Sequence, residues 1–259
     1  MKSFLSLFIC VMCLIASVSC AKREPMPEKE SQTEAKSEEP KEEIMYKNGS
    51  IVIFGDSYST YEGMIPEGFA TWYPKLDVTA VSKTWWAMLV KQTDSVLVRN
   101  DSWSGSTLGY TGYNNSDTSG SSSFIYRYRN LRDEGFFESN TVDTVLVFGG
   151  TNDSWSGAPL GKMMYGGWEE EDLYYVLPAI CYFAYTLKTD LPDARIVFII
   201  NTDISAEIQN AMRDAAEYYG IESVKLRRIG KDERHPNAEG MAQICEQVLD
   251  ALNKNAKNN

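Results

Sequence analysis

Four short polar blocks contain the side chains that could do chemistry, and the first three directly follow apolar runs. The first block, Gly-Asp-Ser, ends at Ser57, and the second, Asn-Asp-Ser-Trp-Ser-Gly, ends at Gly105. The third, Gly-Gly-Thr-Asn-Asp, contains Asn152, and the fourth, Asp-Glu-Arg-His-Pro-Asn, contains Asp232 and His235. A hydroxyl, an imidazole, a carboxylate and an amide are the groups that nucleophilic attack on an acyl group requires.

Each of these residue types predicts one role in such a reaction. A serine hydroxyl is a weak nucleophile until a base takes its proton, and a neutral imidazole with a pKa of about 6.5 can do so at neutral pH. His235 is the only histidine in the chain, and Asp232 lies three residues earlier, close enough on a turn to hold the imidazole in one tautomer. At Gly105 the backbone N–H can approach a bound oxygen without a side chain intervening. Asp153 is interpreted as a residue that fixes its loop.

The elements that must position these blocks are indicated by hydrophobic patterns. Five apolar runs are continuous rather than alternating, which is typical of strands buried on both faces of a parallel sheet. Helical patterns lie between them, including residues 171–189, with Pro178 as an expected kink. This alternation predicts an α/β fold, a three-layer α/β/α sandwich around a parallel sheet of about five strands. Ligands bind beyond the carboxyl ends of such strands, where the blocks lie. The runs are at residues 51–54, 96–98, 144–148, 196–200 and 223–226.

The four blocks, in this order, resemble the motifs of the SGNH/GDSL hydrolase family, and the resemblance runs from about Ile51 to about Leu252. It implies a flavodoxin-like SGNH hydrolase fold and a serine esterase without a cofactor or a metal. By this resemblance Ser57 is the nucleophile, and His235 is the base, oriented by Asp232. The N–H groups of Ser57 and Gly105 and the side chain of Asn152 would form the oxyanion hole. One departure is Ser102, where the family often has a glycine.

The N-terminal residues have the pattern of an export signal followed by a tether. Residues 1–20 combine Lys2, an apolar stretch and small residues before Cys20, which predicts a signal peptide. The ending Ser-Val-Ser-Cys resembles a bacterial lipobox without its usual leucine, so Cys20 is the expected lipid anchor and plain cleavage after Ser19 is the alternative. Residues 21–45, rich in Glu, Lys and Pro, predict a disordered tether before a domain at 46–255. We therefore expect an exported bacterial lipoprotein, held by its lipid at the outer membrane, on the periplasmic face or the cell surface.

Composition excludes several other classes of protein. The formal net charge of -11 argues against a nucleic-acid partner, since phosphate binding requires a basic face. A metal-dependent phosphoesterase normally uses several histidines, and there is no Cys/His cluster with metal-ligand spacing. Of the cysteines in the predicted domain, Cys181 and Cys245 could form a disulfide or stay as buried free thiols.

The substrate is predicted from the aromatic residues that crowd the motif loops. Tyr58, Trp103 and Trp155 are the expected substrate-binding residues, because flat rings on loops suit sugar faces. Together with export, they favour removal of acetyl or other acyl groups from a glycan. The alternatives are a lipase, lysophospholipase or thioesterase acting on acyl esters, and a non-catalytic sugar-binding surface lipoprotein.

Overall fold

Five parallel strands form the central sheet of the protein, whose structure, a computed structural model, describes residues 46–117 and 120–256. Their order across the sheet is β2-β1-β3-β4-β5, and each neighbouring pair is parallel. The predicted fold class is confirmed. The second strand is longer than its apolar run because its polar end still pairs with β1, Gly55 opposite Ser102. The strands β1 to β5 are Ser50–Gly55, Val96–Ser102, Thr144–Gly149, Arg195–Ile200 and Glu222–Lys225.

Helices connect the strands and cover both faces of the sheet. The segment predicted as one kinked helix is instead a 3-10 turn, Glu170–Tyr174, followed by a separate α helix. Pro178 lies in the first turn of that helix, where a backbone N–H would have no partner within the helix, so it produces no kink. The helices α1 to α7 are Trp85–Thr93, Phe124–Asp133, Phe136–Ser139, Thr151–Trp155, Val176–Asp190, Ala206–Tyr219 and Ala238–Ala256.

Alternation along the strands divides the core into two layers. Val52 and Phe54 of β1 pack with α2, α5 and α6 on one face, whereas Ile51 and Ile53 pack with α1 and α7 on the other. Successive side chains of a strand point to opposite faces, so one continuous apolar run supplies both layers. Full burial of each such side chain contributes about 1.5–3 kcal/mol, which makes the sheet a rigid base for the loops at its edge.

The two cysteines of the domain are free and buried, on opposite faces of the sheet. Cys181 belongs to the core layer of α5 and Cys245 to that of α7, so the alternative of a disulfide between them is wrong. Burial raises the pKa of both thiols, to about 11 for Cys181 and about 12 for Cys245. They pack as small apolar side chains.

The N-terminal predictions fall outside the described residues. The signal peptide, the Cys20 anchor and the tether at 21–45 all precede residue 46. They stay predictions, as does the expected location at the outer membrane. Over residues 46–117 and 120–256, none of the helices combines the length and the apolar character needed to cross a bilayer.

Candidate active site

Ser57 lies in a tight turn directly after β1, the strand from which the chain adds neighbours first on one side and then on the other. The chain goes from β1 to β2 on one side, and β3 lies on the other, which opens a crevice at the carboxyl ends of β1 and β3. Asp56 shapes the turn, because its carboxylate accepts a hydrogen bond of 3.0 Å from the N–H of Tyr58. A Cβ on Gly55 would overlap the side chains of Ser59 and Ser102, so only glycine fits before the turn.

His235 is brought to Ser57 by a short hairpin between β5 and α7. The hairpin pairs β6, Lys231–Asp232, with β7, His235–Pro236, and Glu233 and Arg234 form its turn with positive φ angles of 48° and 66°. The Nε2 atom of His235 lies 3.0 Å from Oγ of Ser57. The predicted nucleophile and base, 178 residues apart in sequence, are therefore in hydrogen-bond contact.

The partner of the second imidazole nitrogen is a backbone carbonyl and not a carboxylate. Nδ1 of His235 lies 3.0 Å from the carbonyl oxygen of Glu233. A carbonyl only accepts hydrogen bonds, so Nδ1 carries the proton of the neutral imidazole and Nε2 is free to accept the Ser57 proton. The tautomer that a triad carboxylate would select is thus selected here by the main chain.

The prediction that Asp232 orients His235 is contradicted by this geometry. The Asp232 side chain is exposed, and its carboxylate accepts a hydrogen bond of 2.9 Å from the amide of Asn237. Asn237 in turn caps α7, since its side-chain oxygen accepts from the N–H of Gly240 at 3.0 Å. The two-residue turn places the Glu233 carbonyl at Nδ1, where a carboxylate would otherwise lie. Asp232 stabilises the helix start that follows the histidine.

Two buried tyrosines hold the backbone on either side of His235. The hydroxyl of Tyr58 donates to the carbonyl of Arg234, and that of Tyr73 donates to the carbonyl of Pro236, each at 2.6 Å. Both rings are 0% exposed. The prediction that Tyr58 binds substrate is therefore wrong: its side chain is a buried support of the base. Tyr73 was not predicted, because the irregular segment between β1 and α1 has no periodicity that would indicate its position.

Two tryptophan rings enclose the imidazole. Trp72 stacks on His235, with 3.6 Å between ring centroids and 9° between planes, and Trp155 meets it edge-on at 5.7 Å. Trp155 was predicted to bind substrate, and its place beside the imidazole leaves that role a prediction; Trp72 was not predicted. Burial lowers the pKa of His235, as do the nearby cations Lys75, Arg234 and Lys231, whereas the hydrogen bond at Glu233 raises it. These surroundings favour the neutral imidazole, the form that acts as a base.

The predicted oxyanion donors flank the same crevice. Gly105 has a φ of +85°, and a Cβ there would meet nothing within 4 Å, so its backbone borders open space. Across the described residues, the N–H groups of Ser57 and Gly105 donate no hydrogen bond within the protein. The amide of Asn152 donates one hydrogen bond of 2.8 Å to the carbonyl of Ser106, and its second N–H remains for a ligand.

We call residues 103–109, which contain Gly105, the oxyanion loop after its predicted role; two buried ionisable residues fix it. The carboxylate of Asp153 accepts from the N–H of Leu108 at 3.1 Å, which agrees with its predicted loop-fixing role. Arg127 of α2, which was not predicted, donates to the carbonyls of Gly55 and Asp101 and to the hydroxyl of Ser106. Burial raises the pKa of Asp153 to about 7 and lowers that of Arg127 to about 10.

The sequence contains a signal that Arg127 is buried. It lies on the helical stripe formed by Phe124, Tyr128 and Leu131, where an apolar residue would be expected. A charged residue on such a stripe is buried with its partners, and here it ties the end of β1 to the end of β2 and to the oxyanion loop.

Trp103, the remaining predicted substrate-binding residue, lines a cavity beside the oxyanion loop. Its ring stacks on Phe69, with 4.2 Å between centroids. The cavity has a volume of about 290 Å³ and is lined by aromatic faces together with charged side chains, among them Arg99, Asp101 and Glu134. In the part of the chain that the structure describes, no three His, Cys, Asp or Glu side chains are grouped so that they could hold a metal ion.

A serine in hydrogen-bond contact with an imidazole, with unused N–H groups on neighbouring loops at the carboxyl edge of a parallel sheet, is an arrangement that suits hydrolysis of acyl groups. The model of the GDSL-like lipase/acylhydrolase family matches residues 49–252. The chain is 42% identical to a GDSL-like lipase from Bacteroides uniformis and 37% identical to one from Bacteroides ovatus. The chain belongs to this family, and its chemistry at the family level is hydrolysis of acyl esters.

These two structures resemble the protein over almost their whole length. The TM-scores are 0.72 and 0.73, and the alignments cover 79% and 80% of this chain and 95% and 99% of the relatives. An acetyl xylan esterase from Butyrivibrio proteoclasticus shares the fold at 18% identity and a TM-score of 0.53, over 82% of this chain and 65% of its own. A search of curated proteins returned no match.

Proposed function

We propose that the protein is a serine esterase that works through an acyl-enzyme intermediate. The observation that carries this proposal is the 3.0 Å contact between Oγ of Ser57 and Nε2 of His235. Oγ attacks the ester carbonyl while its proton passes to Nε2. The tetrahedral intermediate then expels the alcohol, which takes that proton. Water attacks the acylated serine by the same route, with His235 again as base, and releases the acid and the free hydroxyl.

The charge that develops on the carbonyl oxygen requires fixed donors. The N–H groups of Ser57 and Gly105 and the free amide proton of Asn152 are available at the crevice. One such side-chain donor contributes about 3–4 kcal/mol to stabilisation of the transition state. Arg127 and Asp153 hold these donors in place before substrate arrives, so little reorganisation is needed during the reaction.

The proposal is tested with the purified protein and para-nitrophenyl acetate. Ser57→Ala and His235→Ala should each lower kcat by at least about 10³, while circular dichroism and melting temperature show an intact fold. Ser139→Ala, at an exposed serine at the end of α3, is the matched control and should behave as wild type. A fluorophosphonate probe should label Ser57 alone, as read by peptide mass spectrometry. Wild-type turnover in Ser57→Ala would overturn the mechanism.

We propose that the substrate is an acylated glycan, most simply an acetylated one. The cavity at Trp103 combines the aromatic rings of Trp103 and Phe69 with Arg99 and Glu134, which offer hydrogen bonds to hydroxyls. Such a lining suits a sugar ring better than an acyl chain, because a hydrocarbon would desolvate charged groups without pairing them. The presence of an acetyl xylan esterase among proteins of this fold supports the proposal.

Replacement of Trp103 separates a sugar-binding role from a structural one. Trp103→Ala should raise KM for an acetylated glycan more than it changes kcat, and should affect para-nitrophenyl acetate less, since that ester has no sugar to stack. Trp168→Ala, at a half-buried tryptophan that packs on Tyr182 and Tyr185, is the matched control. Equal losses on both esters for Trp103→Ala, with a lowered melting temperature, would favour the acyl-ester alternative of a lipase or thioesterase.

A further inference from the structure

Two cations lie beside the catalytic histidine, each on a tryptophan ring that contacts the imidazole. The ammonium of Lys75 lies 4.0 Å from the ring centroid of Trp72, the ring that stacks on His235. Because the imidazole already covers one face of Trp72, Lys75 lies over the other face. The guanidinium of Arg234 lies 3.9 Å from the ring of Trp155, which meets His235 edge-on.

These cations form no ion pair in the described part of the chain, although Arg234 is near enough to Asp203 to contribute to the lowered pKa of that carboxyl group. Neither Lys75 nor Arg234 forms an ion pair or a side-chain hydrogen bond there, and both residues are exposed. The third cation near the imidazole, Lys231, is paired with Asp203 at 2.7 Å and also donates to Asn201. Lys75 and Arg234 therefore keep their hydrogen-bonding capacity for a ligand, while Lys231 is used within the protein.

Two unpaired cations, Lys75 and Arg234, next to His235 are unusual in a chain with a formal net charge of -11. The surface as a whole does not attract an anion, so attraction must come from local cations. A positive field at the imidazole also lowers the pKa of His235, to which burial contributes most. Cations at this place oppose protonation of the base in the free enzyme, an effect that a bound anion would partly cancel.

We propose that Lys75 and Arg234 each bind a carboxylate of the substrate, and that the acylated glycan is therefore an anionic one that contains uronic-acid units. This inference rests on the proposed esterase function. The planar guanidinium of Arg234 can hold a carboxylate through two parallel hydrogen bonds, and the ammonium of Lys75 adds a second charge on the other side of the imidazole. Each cation lies over a tryptophan ring that itself contacts His235, the histidine within hydrogen-bond distance of Ser57.

The expected effect of each cation follows from Coulomb's law. Two unit charges 4 Å apart in water interact by roughly 1 kcal/mol, which corresponds to a change in kcat/KM of about fivefold. The effect should weaken as salt shortens the screening length, from about 30 Å at 0.01 M to about 5–6 Å at 0.3 M. Hydrolysis of a neutral glycan should show neither the loss of kcat/KM when a cation is removed nor the dependence of kcat/KM on salt.

The test compares an acetylated polygalacturonate with an acetylated xylan, measuring acetate release by the purified full chain. Wild type should prefer the polyuronate at low salt. Lys75→Gln and Arg234→Gln should each lower kcat/KM on the polyuronate by about fivefold and on the xylan by much less. Arg234→Lys, which keeps the charge, should retain most of the preference.

A matched control removes a cation far from the site. Lys254 is exposed and lies near the end of α7, about 24 Å along the helix from its start next to His235. Lys254→Gln should change neither activity. Equal kcat/KM on both polymers at low salt, or equal losses on both in the Lys75 and Arg234 variants, would overturn the inference. If para-nitrophenyl acetate is hydrolysed in the same preparation, the esterase function survives that result. If no ester is hydrolysed, both proposals fail.

Discussion

Removal of the Asp232 carboxylate distinguishes a main-chain partner of His235 from a carboxylate partner. In a serine protease triad, loss of the orienting carboxylate lowers kcat by about 10⁴, because the imidazole adopts the wrong tautomer. In this protein the Glu233 carbonyl accepts from Nδ1 at 3.0 Å, and that carbonyl remains in every variant at position 232. We therefore expect Asp232→Ala to retain the correct tautomer and most of its activity.

The expected changes in kcat and in stability for Asp232→Ala follow from the exposure and the contacts of the Asp232 side chain. Asp232 is not among the groups that shift the pKa of His235. Two unit charges about 8 Å apart in water interact by about 0.5 kcal/mol, so an exposed carboxylate of this kind should change kcat by no more than about two- to threefold. The larger effect should be on stability. Asp232 holds the amide of Asn237, which caps α7, and loss of a cap interaction costs about 0.5–1 kcal/mol. For a domain of this size, that corresponds to a fall in melting temperature of about 1–4 °C.

The assay measures kcat for para-nitrophenyl acetate and melting temperature on the same samples. Asn237→Ala should lower the melting temperature similarly and also leave most of the activity, whereas Asp232→Asn, which can still accept from the Asn237 amide, should be close to wild type in both. A loss of about 10³ or more in Asp232→Ala, with melting temperature unchanged, would show that the carboxylate reaches the imidazole in the reacting complex and would restore the triad.

Four further outcomes are expected. Asn152→Ala should lower kcat by about 10²–10³ with KM changed less, measured on any accepted acetyl ester. Tyr73→Phe should leave the Pro236 carbonyl without its donor, lowering both stability, by about 1–3 kcal/mol in urea unfolding, and kcat; a change in stability alone would refute a positioning role. Because the pKa of His235 is lowered and the neutral imidazole is the active form, the acid limb of kcat/KM against pH should lie below about 6.5, and a limb above that value would contradict the burial effect. Cys20→Ser should move the native product from the detergent phase to the aqueous phase, and a wild-type product already in the aqueous phase would indicate plain cleavage.

Much of the fold and part of the site could be predicted from local patterns. The five apolar strands and the amphipathic faces of α6 and α7 are visible as periodicity, because burial depends on side-chain type and spacing. Ser57 and Asn152 could be selected because their motifs follow predicted strands, and His235 because it is the only histidine of the chain, while their roles came from the family resemblance. The carboxyl ends of parallel strands lie at one edge of the sheet, so a prediction that these residues meet needed only the parallel topology.

Only the tertiary structure shows which contacts position the reacting groups. The partner of His235 is the carbonyl of Glu233, and a main-chain oxygen has no residue type by which a sequence could reveal it. Asp232 has the right type and spacing for the role, and only the geometry of the hairpin turn excludes it. Trp72 and Tyr73 come from an irregular segment, where no period indicates which side chains face inward. The sequence thus determined which chemical groups are available and at which edge they meet, while the three-dimensional packing decided which of them touch.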